Sequence, residues 1–200
     1  MLGAGGAGVS GAARLLARRG HVVTGQDREA SPFTDVLRVE DIPVVIGESR
    51  EEHLPAGADL VARSAAISED DPQVLAAKER GVDVIKYAQL VARLAPTGRT
   101  LAVAGTHGKT TTSWMLHGSL AAGGGPQPGA LVGGLHAGHG TNAVPADVGG
   151  WFSLEACEYD RSFLRPRRMS LPSLPTRMSL AAAPAIMSSP PRPSILLPSA

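Results

Sequence analysis

The sequence predicts an α/β fold built from two successive units, each with a parallel sheet covered by helices. Three observations support this prediction. Short apolar runs alternate with segments of helical periodicity over the first 122 residues. Two glycine-rich turns, beginning at Gly3 and Gly105, each stand directly before one of the helical segments. After Leu164 the alternation ends and the composition changes, so the second unit is predicted to be truncated.

The predicted elements follow one another in a regular order. Apolar runs typical of buried strands occupy residues 21–27, 42–47, 58–64, 82–87 and 100–105. Apolar residues spaced three and four apart predict helices over 8–20, 71–81 and 88–95, and another from Lys109 to about Ala122. Pro96 and Gly98 interrupt the segment 95–100, so the second unit is expected to begin at Thr100.

The composition excludes several classes of protein. A net charge of +1 gives no reason to expect binding to nucleic acid or to a membrane surface. One cysteine, Cys157, can form neither a disulfide framework nor a four-cysteine zinc site. No run of 18 apolar residues is present, and the N-terminus lacks the pattern of a secretory signal. The cytoplasm is therefore the expected location.

The first glycine-rich turn has the spacing Gly3-x-Gly5-x-x-Gly8, and Asp27 follows Gly8 by 19 residues. Such glycines allow the backbone to approach a phosphate at a helix N-terminus, and the later acidic residue commonly contacts a ribose. The motif alone leaves open an NAD site or a glycine-rich turn that only packs a helix on a strand. Two residues precede Gly3, so the first strand is expected to be incomplete, or the start to be misassigned.

The second turn carries stronger evidence for a nucleotide site. An apolar strand over 101–104 leads into Gly105–Gly108, and Lys109 and Thr110 open a helix. This strand–loop–helix context is that of a P-loop, although the spacing G-x-x-G-K-T is two residues shorter than the general motif. In such loops the lysine neutralises the β- and γ-phosphates and the hydroxyl of the next residue binds Mg²⁺.

The segment GTHGKTTT (105–112) resembles the ATP loop of the Mur ligases, the ATP-dependent amide ligases of peptidoglycan synthesis. Four other segments and the first glycine turn resemble the same family in the same order, so the resemblance covers residues 3–164 almost continuously. Asp71 stands where the family usually has asparagine. The matching segments are GAGGAGVSG (3–11), SAAISEDDP (64–72), VIKYAQLVARL (84–94), VGGLHAGHGTNA (132–143) and SLEACEYDRSFL (153–164).

The resemblance implies a Rossmann-like domain over 1–95 that binds a UDP substrate, and a truncated P-loop-type central domain over 100–164 that binds ATP. It implies UDP-N-acetylmuramate and L-alanine as substrates and ATP with Mg²⁺ as cofactors. Lys109 and Glu155 are expected to carry catalysis, with Thr110 and Glu155 on the metal. The residues expected at the UDP substrate are Gly5, Gly6, Ala7, Gly8, Asp27, Ser64, Ser68, Thr141 and Asn142, and those at ATP are Gly105, Thr106, His107, Gly108, Lys109, Thr110 and Thr111.

The two glycine turns and Glu155 also suit the chemistry of an ATP-dependent amide ligase. A carboxylate does not react with an amine at neutral pH, whereas an acyl phosphate made with ATP does. That reaction requires positioned phosphates, a metal ion and cations more than a nucleophilic side chain. Two alternatives remain: a nucleotide-binding fragment without catalysis, and an NAD-binding oxidoreductase domain built on the first turn.

Residues 165–200 differ from the rest of the chain. They contain none of the 18 acidic residues and eight of the 16 prolines, which predicts a disordered segment. Arg-Met-Ser occurs at 168–170 and 177–179, and its codons can read Asp-Val in a neighbouring frame. We expect this segment to be out of frame and the chain to be inactive as a ligase; a natural proline-rich tail is the alternative.

Overall fold

The computed structural model describes residues 1–96, 98–138 and 140–156, and they form two sheets with helices packed against them. The predicted α/β class is confirmed. The helices are α1 (Ala7–Arg18), α2 (Pro32–Val39), α3 (Pro72–Glu79), α4 (Tyr87–Leu94) and α5 (Lys109–Ala122). The strands are β1 (Gly25–Asp27), β2 (Val44–Ile46), β3 (Leu60–Arg63), β4 (Asp83–Lys86), β5 (Thr100–Val103), β6 (Gly129–His136), β7 (Thr141–Val144) and β8 (Phe152–Glu155).

The first sheet consists of two parallel pairs, β1–β2 and β3–β4, joined through Leu2. Leu2 bridges Gln26 on one side and Arg63 on the other. Its amide donates to Ala62 O at 2.9 Å, and its carbonyl accepts from the amide of Ser64 at 2.9 Å. Leu2 thus lies at the centre of the sheet and is buried.

Two parts of the first unit differ from the sequence prediction. The strand expected over 21–27 begins only at Gly25, because the preceding residues have no strand beside them and Val22 is fully exposed. The helix α2 was not predicted. Ser31 caps it by accepting from the amide of Thr34 at 3.3 Å, while Thr34 Oγ1 accepts from the amide of Ser31 at 2.9 Å. This reciprocal cap, with Pro32 as the next residue, stabilises a helix of only eight residues.

The second sheet has the strand order β5-β8-β6-β7. Strand β8 lies parallel to β5 and to β6, and β7 returns antiparallel to β6. The helix α5 follows β5 and covers the predicted range, Lys109 to Ala122. None of the helices in the described residues is long and apolar enough to cross a membrane.

One apolar cluster includes residues of both sheets. Helix α1 contributes Leu15, and α4 contributes Val91, to the same cluster as Leu131 of β6 and Phe152 of β8. Gly11 marks the closest approach: a Cβ atom there would lie 2.5 Å from Leu131 Cδ1. Helix α1 therefore packs against the second sheet directly, and its first turn faces that sheet across a cavity.

The described residues form one compact unit. The boundary between domains 1–95 and 100–164 stays a prediction. The predicted disordered segment 165–200 lies outside the described residues.

Candidate functional site

A cavity of about 370 Å³ lies between the first glycine turn and the second sheet. One wall comes from the start of α1, the turn after β3 and the start of α4. The opposite wall comes from β6 and the end of β8. The lining residues are Gly6, Ala7, Gly8, Val9, Ser64, Ala65, Lys86, Tyr87, Ala88, Leu131, Val132, Gly133 and Glu155. The cavity thus adjoins the carboxyl ends of the parallel strands, where ligands bind in open α/β sheets.

The first turn carries backbone amides that have no acceptor among the described residues. The amides of Ala7, Gly8 and Val9 open α1, and within the described residues none of them donates to a protein acceptor. Free amides at a helix N-terminus, together with the positive end of the helix dipole, favour a phosphate or carboxylate. All three residues line the cavity, as does Gly6.

Asp27 holds this turn in place. Its Oδ2 accepts from the amide of Gly5 at 2.7 Å, and the Ser31 hydroxyl donates to Gly5 O at 2.9 Å. A Cβ atom on Gly5 would lie 2.9 Å from Asp27 Oδ2, so the glycine is required by the close approach. The predicted contact of Asp27 with a UDP substrate stays a prediction beside this structural role.

Lys86 and Tyr87 belong to the cavity wall but were missing from the residues predicted from the sequence. The Tyr87 ring lies over Gly8, where a Cβ atom would be 2.7 Å from the ring carbon Cζ. Among the described residues that line the cavity, Lys86 is the only cationic one. Both residues stand where β4 ends and α4 begins, and that position after a parallel strand could have identified them.

The two predicted serines differ in position. Ser64 lines the cavity, and its hydroxyl accepts from the amide of Ala66 at 3.3 Å. Ser68 is exposed, lies outside the cavity wall and accepts from the amide of Asp70 at 3.2 Å. Ser64 is therefore positioned to contact a ligand in the cavity, whereas Ser68 forms a turn beyond its edge.

The second turn places its cation and hydroxyl at the start of α5. Gly105 and Gly108 have φ values of 144° and 72°, which glycine adopts without strain. Lys109 Nζ donates to Gly105 O at 2.6 Å, so the ammonium group lies over the turn. His107 Nδ1 lies 3.2 Å from the hydroxyl of the neighbouring Thr106, on the exposed side of the turn. This contact is consistent with a role in shaping the loop.

Glu155 connects the second turn with the cavity. Its Oε2 accepts from Thr110 Oγ1 at 3.0 Å and from the amide of Gly133 at 2.8 Å. A Cβ atom on Gly133 would lie 2.9 Å from Glu155 Oε1, and one on Gly134 would lie 3.0 Å from Thr110 Cγ2. The two glycines of β6 therefore allow the carboxylate and the hydroxyl to meet.

The Glu155–Thr110 pair fits a magnesium site of the kind completed by substrate. Within the described residues there is no group of three or more histidine, cysteine, aspartate or glutamate side chains that could hold a metal alone. Mg²⁺ commonly binds through one or two protein oxygens, with phosphate oxygens and waters completing its octahedron. One carboxylate and one hydroxyl beside the second glycine turn provide such oxygens.

Thr141 and Asn142 lie away from the cavity lining. Both belong to β7 and are buried where that strand packs against α1. Arg14 Nη1 donates to Thr141 Oγ1 at 2.7 Å and to Asn142 Oδ1 at 3.0 Å. Asn142 Nδ2 donates to Ala7 O at 2.6 Å. The structure brings the first glycine turn, Ser64 and Glu155 together around the cavity. The second turn lies outside the lining and is connected to it by the Thr110–Glu155 hydrogen bond, whereas Thr141 and Asn142 lie behind the wall.

Arg14 is itself held by Glu40, the residue that follows α2. Its Nε donates to Glu40 Oε2 at 2.7 Å, and its Nη2 pairs with Glu40 Oε1. This contact with Arg14 lowers the pKa of Glu40 below its ordinary value, with Arg18 adding a smaller effect of the same sign. The buried guanidinium thus links α2, α1 and β7.

Comparisons with known proteins agree on one family. The model of the "Mur ligase family, catalytic domain" matches residues 1–99. The UDP-N-acetylmuramate–L-alanine ligase of Rubrobacter xylanophilus is 46% identical over 167 residues, covering 82% of this chain and 36% of that protein. The ligase of the same name from Streptomyces coelicolor is 44% identical over 165 residues, covering 81% and 34%.

Solved structures give the same result. The UDP-N-acetylmuramate-alanine ligase of Thermotoga maritima superposes with a TM-score of 0.67 at 26% identity, covering 77% of this chain and 35% of that one. A murein peptide ligase from Psychrobacter arcticus superposes with a TM-score of 0.68 at 27% identity, covering 80% and 37%. The chain spans about a third of the length of the curated relatives described above.

Proposed function

Because the chain belongs to the Mur ligase family, we propose that its first turn binds UDP-N-acetylmuramate and its second turn binds ATP with Mg²⁺. The reaction served by this arrangement is the joining of L-alanine to the muramoyl carboxylate in peptidoglycan synthesis. The cytoplasm, where ATP and nucleotide-linked sugars occur together, is the proposed location.

The observation that carries this proposal is a single cavity that has the first turn in one wall and Glu155, the hydrogen-bond partner of Thr110, in the other. The free amides at the start of α1, with Lys86 nearby, suit the diphosphate of a UDP-sugar. Glu155 in the opposite wall is hydrogen-bonded to Thr110, the residue after the lysine of the second turn. A ligand that extends from the first turn across the cavity therefore brings its far end to the site proposed for ATP.

The proposed chemistry needs no nucleophilic side chain. The muramoyl carboxylate oxygen attacks the γ-phosphorus of ATP, and ADP leaves. The amine of L-alanine then attacks the acyl carbon, phosphate leaves, and the amine loses a proton. Lys109 and the amides of the second turn hold the phosphates, and Mg²⁺, when bound through Thr110 and Glu155, would reduce the charge repulsion between them.

Ligand-dependent stability distinguishes this proposal from the oxidoreductase alternative. We expect UDP-N-acetylmuramate to raise the unfolding temperature of the chain at concentrations above its Kd, because a ligand that binds only the folded state stabilises it. Mg-ATP should raise it independently, and NAD should not. Differential scanning fluorimetry with each ligand alone makes the measurement. Protection by NAD but not by UDP-N-acetylmuramate would contradict the proposal.

A turnover assay separates the ligase from a fragment that only binds nucleotides. We expect the 200-residue chain to bind both ligands and to release no ADP in the presence of L-alanine, because the resemblance to the family ends at Leu164. ADP release is followed with all three substrates, and again without L-alanine as a control. Sustained, alanine-dependent release of ADP would show that the chain is catalytically competent.

A further inference from the structure

A buried polar network lies behind the cavity and joins its two walls. It begins at Glu40, passes through Arg14 to Asn142, and ends at the carbonyl of Ala7. Ala7 belongs to the wall formed by the first turn. Asn142 lies on β7, which pairs with the β6 residues of the opposite wall.

The orientation of the Asn142 amide is determined by its partners. Arg14 can only donate hydrogen bonds, so the atom facing its Nη1 at 3.0 Å is the Asn142 oxygen. The Ala7 carbonyl can only accept, so the atom 2.6 Å from it is the Asn142 nitrogen. The nitrogen also lies 3.1 Å from Ser10 Oγ. With both ends fixed, the amide holds α1 and β7 at one separation.

Asn142 is fully buried and does not line the cavity, so it cannot recognise a ligand directly in this arrangement. Its effect must pass through Ala7, whose amide is one of the free donors of the first turn. The close packing of Gly11 against Leu131 Cδ1 and Asn142 Nδ2 leaves little room for the two walls to move independently.

We propose that Asn142, oriented by Arg14, is a positioning residue that fixes the first turn relative to β6, so that the cavity is preorganised for a ligand contacting both walls. This inference rests on the proposed function, in which UDP-N-acetylmuramate is that ligand. The affinity for ATP, which the second turn is proposed to bind, should not depend on this positioning. Residues 105–111 form no hydrogen bond with Glu40, Arg14, Asn142 or Ala7 O.

The substitution Asn142→Asp tests the proposal. It preserves the shape and the acceptor for Arg14 but replaces the donor to Ala7 O with a second oxygen. We expect the affinity for UDP-N-acetylmuramate to fall at least tenfold and the affinity for ATP to change less than twofold, both by calorimetry below the unfolding temperature. Ser10→Ala is the matched control: it removes the hydroxyl that accepts from the same amide and donates to Ala7 O, but it keeps the hydrogen bond from Asn142 to Ala7 O. It should lower stability without the selective loss of affinity.

Each outcome decides a separate point. If the unsubstituted chain does not bind UDP-N-acetylmuramate, the proposed function fails. If that chain binds it and Asn142→Asp binds it equally well, or loses ATP to the same extent, the positioning role is wrong. Should Asn142→Asp not fold, Arg14→Lys takes its place, since lysine cannot hold Glu40 and Asn142 together. The same selective loss, at least threefold, is then expected, and its absence overturns the proposal.

Discussion

Replacing Lys109 with alanine should weaken ATP binding about tenfold to a hundredfold. The side chain lies over the second turn, where its ammonium group reaches Gly105 O at 2.6 Å. In the proposed complex it exchanges this neutral acceptor for charged phosphate oxygens. A hydrogen bond to a charged group contributes about 1.5–3 kcal/mol, which corresponds to that range of affinity. Calorimetric titration of Mg-ATP into the two proteins measures the difference.

The fold should tolerate the change, since Lys109 lies at the first position of α5 and forms no ion pair with a described residue. Affinity for UDP-N-acetylmuramate should stay within twofold. Lys78→Ala is the control, because it removes a lysine of the same charge that pairs with Glu69 on the surface. Equal ATP affinity in the Lys109 and Lys78 variants would show that the second turn is only a structural turn.

The substitution Gly11→Ala should destabilise the chain by about 1–3 kcal/mol, the usual effect of overpacking a core. The new methyl group would lie 2.5 Å from Leu131 Cδ1 and 3.1 Å from Asn142 Nδ2. Leu131 is buried and Asn142 is held by Arg14 and Ala7, so neither can move away freely. Urea denaturation of the two proteins gives the difference in the free energy of unfolding.

Gly118→Ala provides the same chemical change with the opposite expectation. Gly118 lies within α5, is exposed, and has open space where its Cβ atom would stand. Alanine there should stabilise the chain by about 0.5–1 kcal/mol, because it restricts the unfolded backbone and favours the helix. If both variants shift stability in the same direction, the close packing of α1 on β6 is not what determines the effect at Gly11.

Sequence patterns predicted the features that are determined by residues close together along the chain. Both glycine turns and the ends of α5 follow from short-range signals, namely apolar runs, glycines and the Gly-Lys-Thr sequence. The strand β6 was missed because Gly129, Gly133 and Gly134 interrupt its apolar pattern. In the structure two of these glycines allow Glu155 and Thr110 to approach β6, which the sequence of β6 alone does not reveal.

The positions of Thr141 and Asn142 show a second limit of prediction from sequence, namely that contacts between distant segments are not visible in local patterns. Their burial depends on Arg14, which is separated from them by 127 and 128 residues. The resemblance implies that they lie at the substrate, and this stays a prediction; in the structure both lie against α1, outside the cavity lining. Lys86 and Tyr87 likewise reach the cavity only because α4 packs over Gly8. Contacts between distant segments decide which side chains face a ligand and which support the wall behind it.

The position of Leu2 between two strand pairs makes the unfolding of the first sheet cooperative. Within the described residues, the pairs β1–β2 and β3–β4 are connected by Met1 and Leu2, where the amide of Gln26 donates to Met1 O and the amide of Ser64 donates to Leu2 O. Opening at Leu2 would leave two ribbons of two strands each, and such ribbons are marginally stable alone. The amides of Gln26 and Ser64, which flank Leu2 on its two sides, should therefore exchange their hydrogens through the same local opening. The cavity wall that contains Ser64 opens in the same event.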